Sequence, residues 1–394
     1  MIGFEEALGL VLERARPLGP ETVPVSRAAG RILAEPVKAQ LDSPRTAVSA
    51  MDGYAVRMRA TDGQIRLAVI GQSLPGSGFQ GLVGEDQAVR IFTGAPIPTG
   101  ADRVVIQEVV RREGEEAVLD GPPTGATHIR AQGSDFGVGD ELLEPGRRLD
   151  PRAMVAAGGA DLAELEVYRR PKVVVLGTGD ELHEPGTARQ TQFGIAESVS
   201  LGVAALAEAW GGVSIGRRRI TDDLALLKAA AREALDDADV VVVTGGASVG
   251  ERDFARAMFE DEGLELVFSK VEIKPGKPVW MGQARGRLVM GLPGNPTSAM
   301  VTGRLFLAPL LAGLSGEDPR RAHGWFSAPL SASLGATGDR ETFHRGRLTA
   351  KGVEPLGDQD SGSQRALAMA DVLVRRRPGA EAAEAGEEVE ALRF

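Results

Sequence analysis

The stretch Asp239–Phe254, DVVVVTGGASVGERDF, decides how the chain is read. Four consecutive valines, Val240–Val243, predict a strand buried on both faces, as in a parallel sheet covered by helices. Thr244, Gly245 and Gly246 follow directly, then Ser248, Gly250 and Asp253. Glycines let the backbone turn sharply and bring its N–H groups close to a ligand. Such groups, beside the N-terminus of a following helix, suit an anion such as phosphate. Asp253 puts a carboxylate where a phosphate-bound Mg2+ needs an oxygen ligand. An ordinary strand–turn–helix corner carries the same short signature, so the surrounding chain has to decide.

Upstream, Lys172–Leu176 reads KVVVL and runs into Gly177-Thr178-Gly179-Asp180-Glu181-Leu182, a second strand-then-glycine turn with acids on it. Glu197–Trp210 has helical spacing, and Val213–Ile220 is strand-like. Thr221-Asp222-Asp223 opens a helix whose apolar face is Leu224, Leu227, Ala231, Ala234, Leu235 and Ala238. Downstream, Leu264–Val271 and Leu288–Met290 read as strands. Gly291-Leu292-Pro293-Gly294-Asn295-Pro296 then leads into a helix over Thr297–Leu311, with Asn295 as cap and Pro296 at its first position. This alternation over Lys172–Leu314 predicts a doubly wound parallel sheet, whose ligands sit at the carboxyl ends of its strands. Between the strands, Glu272–Pro278 carries Lys274 and Lys277 three residues apart, each followed by proline, on a rigid Pro/Gly frame.

The flanking segments differ. Phe4–Arg16 is an amphipathic helix. Pro151–Ala160 (helical) and Ala163–Val167 (extended) are expected to return the chain to it. Residues 1–42 with 141–170 then form a discontinuous helical/extended linker domain. Residues 43–140 form a β-rich domain, with strands expected at Ile65–Ile70, Ala88–Phe92, Arg103–Val110 and Ala117–Leu119. Its loops hold Asp52, Thr93 and Asp135, positions that simple turn chemistry also explains. Residues 171–316 are the α/β domain. Residues 317–394 turn β again and are expected to close a small C-terminal barrel. The fold class is therefore multidomain, α/β plus β.

Composition narrows the function. A chain of 394 residues exceeds one ordinary core, so roughly two to four domains are expected. Its formal charge of −10 argues against general nucleic-acid or anionic-membrane binding, and so against nucleic-acid or membrane partners. The absence of cysteine excludes disulfides, thiolate catalysis and cysteine-ligated metal, and fits a cytoplasmic protein. The N-terminus lacks the pattern of a signal peptide, and no apolar run approaches the ~20 residues of a membrane span. His128, His183, His323 and His344 are scattered, and the Walker phosphate signature is absent. What remains is a set of carboxylates on glycine turns, Glu181, Asp222 and Asp253, with Asp52 and Asp135 elsewhere, plus the lysines. Carboxylates hold Mg2+ against phosphate oxygens, and lysines with backbone N–H groups hold the phosphate itself. The residues by themselves reach a phosphorylated ligand with Mg2+, and no specific reaction.

Six motifs occur together and in order: SAMDGYA (Ser49–Ala55), TGAPIP (Thr93–Pro98), TGDEL (Thr178–Leu182), TGGASVGERD (Thr244–Asp253), IKPGKP (Ile273–Pro278) and GLPGNP (Gly291–Pro296). In this set the chain resembles the MoeA-type molybdopterin molybdenumtransferases, which are similar to the C-terminal part of gephyrin. The resemblance runs over essentially the whole chain. It implies an elongated four-domain homodimer that takes adenylylated molybdopterin and molybdate and yields molybdenum cofactor and AMP. It also implies Glu181, Asp222 and Asp253 as acids that line the cleft and hold Mg2+ or orient water. Gly245, Gly246, Ser248 and Gly250 would embrace the pterin ligand. Lys270, Lys274 and Lys277 would neutralise phosphate and molybdate, and Pro293 and Pro296 would shape the cleft floor. Asp52 and Thr93 would reach in from the other subunit. Asp135 matches a further acidic position. Phe343–Gly346 and Ser361–Gln364 match the C-terminal domain more loosely.

Two departures stand out. Ala47 and Val48 occupy positions where the family commonly has aspartate and asparagine. Glu197-Ser198-Val199 stands where it commonly has Asp-Ser/Thr-Asn. They leave open a divergent paralogue that inserts tungstate, one that only adenylylates the pterin, or a non-catalytic dimeric scaffold. Delivery of the pterin by a molybdopterin adenylyltransferase is likewise left open.

Overall fold

The valine run forms the strand Val240–Thr244, every residue of which is buried. Its side chains alternate between two cores. Val240 and Val242 face one cluster with Val173, Val175, Val203, Ala207 and Leu310. Val241 and Val243 face the other with Val174, Leu176, Leu227, Ala231 and Leu235. A sheet buried on both faces needs apolar residues at every position, which is why the run is continuous rather than alternating. Each fully buried valine contributes roughly 1.5–3 kcal/mol relative to exposure.

The computed structural model describes residues 1–58, 63–246 and 254–394. The central sheet has six strands in the order Val213–Ile220, Lys172–Thr178, Val240–Thr244, Arg287–Leu292, Trp280–Ala284 and Glu265–Phe268. The first four run parallel. The last two are antiparallel to their neighbours, so the sheet is mixed rather than wholly parallel as expected. Trp280–Ala284 leads into Arg287–Leu292 by a tight Arg285-Gly286 hairpin, with Arg285 at φ 50 and Gly286 at φ 74. From Lys172–Thr178 the chain crosses to one side, at Val213–Ile220, and later returns on the other, at Val240–Thr244. The point between the first strand and Val240–Thr244 is a topological switch point, where open α/β sheets form a crevice.

The helices Val199–Ala209 and Leu224–Asp237 cover opposite faces. The run Pro296–Leu314 starts with Pro296 at its first position and passes through a π-helical turn at Gly303–Leu307. It has 19 residues and is apolar enough to cross a membrane, longer than the sequence suggested. It is almost wholly buried as the core helix of this sheet.

The N-terminal helix Phe4–Arg14 does not meet the Pro151–Val167 segment, correcting the sequence expectation. Its buried face, Phe4, Ala7, Leu8 and Val11, packs into the α/β core with Phe306, Leu310 and Leu311. The helix Pro151–Gly159 instead closes a separate small core with Ala28, Leu33, Val37 and Leu165. The strand Glu164–Tyr168 pairs there with Pro20–Pro24. An amphipathic face specifies that something covers it, not which element does.

Residues 53–119 contain a second six-stranded sheet with its own two cores. One of its inner strands is Gly53–Val56, all buried, where the sequence read only a turn. In the C-terminal part, the strands Glu341–Thr349, Val372–Arg376, Glu388–Arg393 and Phe326–Pro329 pair in sequence. Gly352–Pro355 pairs with the first of these, and the bridge Leu330–Val353 joins it to the last, closing a ring. Ile273–Lys274 adds to this C-terminal sheet, parallel to Glu341–Thr342.

Candidate functional site

At the carboxyl ends of the parallel strands lies a cavity of about 620 Å3. Thr178 and Gly179 come from the end of one strand, and Thr244, Gly245 and Gly246 from the next. Pro293, Gly294, Asn295 and Pro296 come from the turn after a third. Asp222 enters from the turn ahead of the helix Leu224–Asp237. The cavity sits at the switch point, so strand topology rather than any single motif brings these residues together.

Local chemistry explains the turns. Gly245 and Gly246 have φ of 88 and 60, where side chains are strained. A Cβ on Gly245 would lie 2.5 Å from the Thr178 carbonyl oxygen, and one on Gly246 would lie 3.2 Å from Thr178 Oγ1. The glycines therefore let two strand ends nest against each other. The buried Thr178 Oγ1 has no hydrogen-bond partner among the described residues. An unpaired buried hydroxyl costs roughly 1–3 kcal/mol.

Glu181 and Asp222 are the two acids from the expected set that line this space. Gly179, at φ 150, makes room for the Glu181 carboxylate, which would stand 2.7–2.8 Å from a Cβ there. The backbone N–H of Asp222 donates to Asp180 Oδ1 at 3.0 Å, which fixes the turn that carries Asp222. Among the described residues no cluster of three or more His, Cys, Asp or Glu has the arrangement of a metal site. Two carboxylates lining this cavity still fit Mg2+, which is commonly held by one or two carboxylates plus substrate phosphate oxygens.

Gly245, Gly246, Pro293 and Pro296 line the cavity as expected from the sequence. Ser248, Gly250 and Asp253 lie outside the described residues. Lys270, Lys274 and Lys277 are not among its lining residues, although Pro278, next to Lys277, is. Lys274 and Lys277 are exposed. Their loop is anchored through Ile273–Lys274 to the C-terminal sheet and reaches the cavity lining at Pro278.

Asp52 and Thr93 are brought together, but away from this cavity. Thr93 donates its N–H and its hydroxyl to Asp52 Oδ1 at 2.7 and 2.8 Å. These two hydrogen bonds hold the Asp52 carboxyl below its usual pKa. Asp135 is exposed in a loop tied by its own N–H to the Ser43 carbonyl, apart from both groups.

Several participants stood in the sequence only as loosely matching stretches, Phe343–Gly346 and Ser361–Gln364, or as a helix cap. Gln364 reaches the rim and donates to Ser198 Oγ at 3.2 Å. Asn295 does not cap its helix with its side chain, and donates instead to Ser361 Oγ at 2.9 Å. The fully buried Arg345 explains this loop's position. It donates to Thr297 Oγ1 at 2.9 Å and to the Asp360 carbonyl at 2.9 Å, joining the C-terminal sheet to the helix that starts at the cavity.

The Glu197-Ser198-Val199 departure acquires a structural reading. Glu197 accepts from the Ser200 N–H at 2.8 Å and from Arg217 Nη1 at 3.1 Å. It does the capping, while the Ser198 side chain makes no cap bond. Val199 lines the cavity with an apolar side chain. At the other departure, Val48 pairs across to Arg130 and bridges to Pro96, a structural position in the β-rich sheet region.

Family models match the chain in three segments. Residues 2–159 match the MoeA N-terminal region (domain I and II), and residues 174–313 a probable molybdopterin binding domain. Residues 327–394 match the MoeA C-terminal region (domain IV). The molybdopterin molybdenumtransferase of Haemophilus influenzae is 37% identical over 348 residues, covering 88% of this chain and 86% of the relative. Molybdopterin molybdenumtransferase 2 of Mycobacterium tuberculosis is 34% identical, covering 95% of each. The crystal structure of a molybdopterin biosynthesis MoeA protein of Pyrococcus horikoshii superposes with a TM-score of 0.84 at 30% identity, over 100% of this chain and 99% of that one.

Proposed function

The chain belongs to the MoeA family of molybdopterin molybdenumtransferases, enzymes of molybdenum cofactor biosynthesis, and from that premise we propose that it inserts molybdate into adenylylated molybdopterin with release of AMP. The observation that carries this reading is the single cavity in which Glu181, Asp222, Gly245, Gly246, Pro293 and Pro296, from four separated motifs, face one another. Its volume of about 620 Å3 lies within the range of small-molecule sites.

In this proposal the N–H groups of the Gly245-Gly246 turn cradle the ligand's phosphates, and Thr178 Oγ1 gains the partner it lacks. Glu181 and Asp222, with Asp253, would hold Mg2+, which when bound neutralises charge on the phosphoanhydride oxygens. Lys270, Lys274 and Lys277 attract molybdate at the rim and stabilise negative charge on the departing AMP phosphate. Two Mo–O bonds are exchanged for two Mo–S bonds to the dithiolene, the thiol protons leave with the released oxygens as hydroxide, and one of these attacks the phosphoanhydride to give AMP and the pterin phosphate. Ser248 and Gly250 extend the phosphate cradle.

The division at 1–42 with 141–170, 43–140, 171–316 and 317–394, with the helix Phe4–Arg14 of the first part seated on the α/β core, is part of the same proposal, as are the homodimer and a cytoplasmic location. Two hydrogen bonds from Thr93 hold the Asp52 carboxylate in one exposed arrangement, which suits its use against a second copy of the chain. A partner subunit closing the cleft would exclude water that competes for the anhydride.

The test is AMP release from adenylylated molybdopterin on adding molybdate and Mg2+. Release that needs both supports the reading, and none under either condition removes it. Val199 in the cavity wall, in place of an amide, favours one variant of it, in which tungstate is preferred or turnover is lost to a scaffold role. The same assay with tungstate in place of molybdate distinguishes these.

A further inference from the structure

Asp52 and Thr93 rest on a set of contacts that the cavity itself does not use. Three strand ends of the β-rich sheet meet beneath them: the start of Gly53–Val56, the end of Gln87–Ile91 and the end of Arg103–Ile106. Gly53–Val56 lies between the other two. Arg90, in register with Tyr54, gathers all three ends with one half-buried side chain. Its Nη1 donates to the Gly53 carbonyl at 3.0 Å, and its Nη2 donates to Gln107 Oε1 at 2.6 Å. Its guanidinium carbon stands 5.2 Å from the centre of the Tyr54 ring and 4.9 Å from that of Phe92. Gln107 in turn donates its N–H to the Asp52 carbonyl at 3.1 Å.

Asp52 is thereby held from three directions. Its own carbonyl accepts from Gln107, the following carbonyl accepts from Arg90, and its Oδ1 accepts both bonds from Thr93. Its Oδ2 accepts no hydrogen bond among the described residues, so one oxygen is fixed and the other is open. Gly53 lets the turn press against its neighbour strand, since a Cβ there would lie 2.0 Å from the Val105 carbonyl oxygen. The Thr93 bonds lower the Asp52 pKa most and the charge of Arg90 least, so Arg90 matters for geometry more than for field. A planar fork bonded at both ends and stacked on two rings is an arrangement that lysine cannot reproduce.

We propose that Arg90 is the positioning residue for the Asp52–Thr93 pair, fixing the turn from which the open Asp52 oxygen reaches the cavity of a second subunit. The proposal rests on the reading that Asp52 serves a second copy of the chain, and the test separates the two. AMP release is measured for Arg90→Gln, Arg90→Lys and Asp52→Asn, alone and coexpressed with Glu181→Gln chains.

Arg90→Gln should lower the rate by about ten- to a hundredfold, the scale of the charge-assisted hydrogen bonds lost, and Arg90→Lys should not restore it. In an Asp52→Asn background, Arg90→Gln should cost less than about twofold more, because both act through one carboxylate. Coexpressed with Glu181→Gln, either Arg90→Gln or Asp52→Asn should recover about a quarter of the unsubstituted rate, since half of randomly paired dimers are mixed and each holds one intact site. Recovery with Asp52→Asn but not with Arg90→Gln overturns the role of Arg90 and leaves that of Asp52. No recovery with either overturns both. A readout without turnover is the Asp52 carboxyl titration, followed by NMR in the full chain. Its pKa should rise in Arg90→Lys as well as in Arg90→Gln, as the Thr93 bonds slacken. An unchanged value in Arg90→Lys means that Arg90 acts by charge alone, and overturns the proposal whether or not AMP is released.

Discussion

The central sheet carries a cavity at each end, and the two are built from opposite materials. At the carboxyl ends of the strands, two acids stand among glycine turns and prolines. At the amino ends, Arg31, Arg148 and Arg170 stand with Glu208, and Arg170 donates to the Gly211 and Gly212 carbonyls. Parallel strands bring their N–H-rich turns and helix N-termini to one edge and the carbonyl ends of their helices to the other. An acidic site at the first edge therefore calls for a cation between protein and phosphate. At the second, the Arg170 guanidinium answers the carbonyls of Gly211 and Gly212, just past the end of the helix Val199–Ala209. The difference teaches that net charge, here −10, says little about which anions a chain binds. Local arrangement decides it.

The sharpest way to break the comparison is to neutralise one end and leave the other. Glu181→Gln keeps the volume of the side chain and removes its charge. It should lower molybdate-dependent AMP release by about a thousandfold, roughly 4 kcal/mol of transition-state stabilisation. Arg31→Gln at the other end should leave that rate within about threefold. Comparable losses from both would show that the two cavities act as one unit. Unchanged turnover in Glu181→Gln would remove the acid from the mechanism.

Acid pH separates the cavities from the core that supports them. His323 is held down to a pKa of about 4 by burial and then by Arg304, and its ring Nε2 lies 2.8 Å from the Leu305 carbonyl oxygen. The folded protein thus favours the neutral ring. Its contribution is fully present above the unfolded value near 6.5 and is lost as pH falls from there towards about 4. About 3 kcal/mol of stability should disappear over that window, measured by denaturant unfolding at fixed pH. His323→Gln should flatten the decline. If it does not, groups other than His323 set the acid sensitivity of the core.

The two ends also differ in how far the sequence disclosed them. Val240–Val243 could only be a strand covered on both faces, and Asp223 before an amphipathic run could be read as a cap, as its bonds to the N–H groups of Ala225 and Leu226 bear out. Gly245, Gly246 and Pro293 sit at strand ends, so strand order alone gathers them, and topology is a property that the βα alternation carries. Three things were hidden. Gly53–Val56 looked like a turn because Asp52-Gly53 is a turn pair, yet its partners Gln87–Ile91 and Arg103–Ile106 make it an inner strand. The lysine loop looked like part of the α/β unit, but Ile273 pairs with Glu341 in the C-terminal sheet, a contact nearly 70 residues away in sequence that no local pattern encodes. The arginines of the second cavity, Arg31, Arg148 and Arg170, come from three segments with no motif, and only folding brings them together.

Gly245→Ala tests whether nesting of strand ends is needed at the acidic cavity. The new Cβ would stand 2.5 Å from the Thr178 carbonyl oxygen, at a φ of 88. Backbone strain of about 1–2 kcal/mol adds to that clash, so a loss of roughly 2 kcal/mol is expected in chemical denaturation. The exposed Gly30, at φ 77 beside the other cavity, has nothing within 4 Å of such a Cβ. Gly30→Ala should therefore carry the strain alone, about 1 kcal/mol. Equal losses at both would mean that the approach to Thr178 relaxes freely and that the turn is not tightly determined.

The smallest expected effect is the most specific. Thr178 Oγ1 is buried at the cavity without a partner, so the free protein bears a cost that a bound ligand relieves. Thr178→Val removes the hydroxyl and keeps the shape. Stability should stay unchanged or rise by up to about 1 kcal/mol, because the unpaired group is gone. Affinity for the phosphate-bearing pterin should fall by about three- to tenfold, because the ligand loses a donor prepared for it. A structural hydroxyl would show the reverse pattern, with lower stability and unchanged affinity. The sign of these two changes, more than their size, distinguishes a group waiting for a ligand from one that merely fills space.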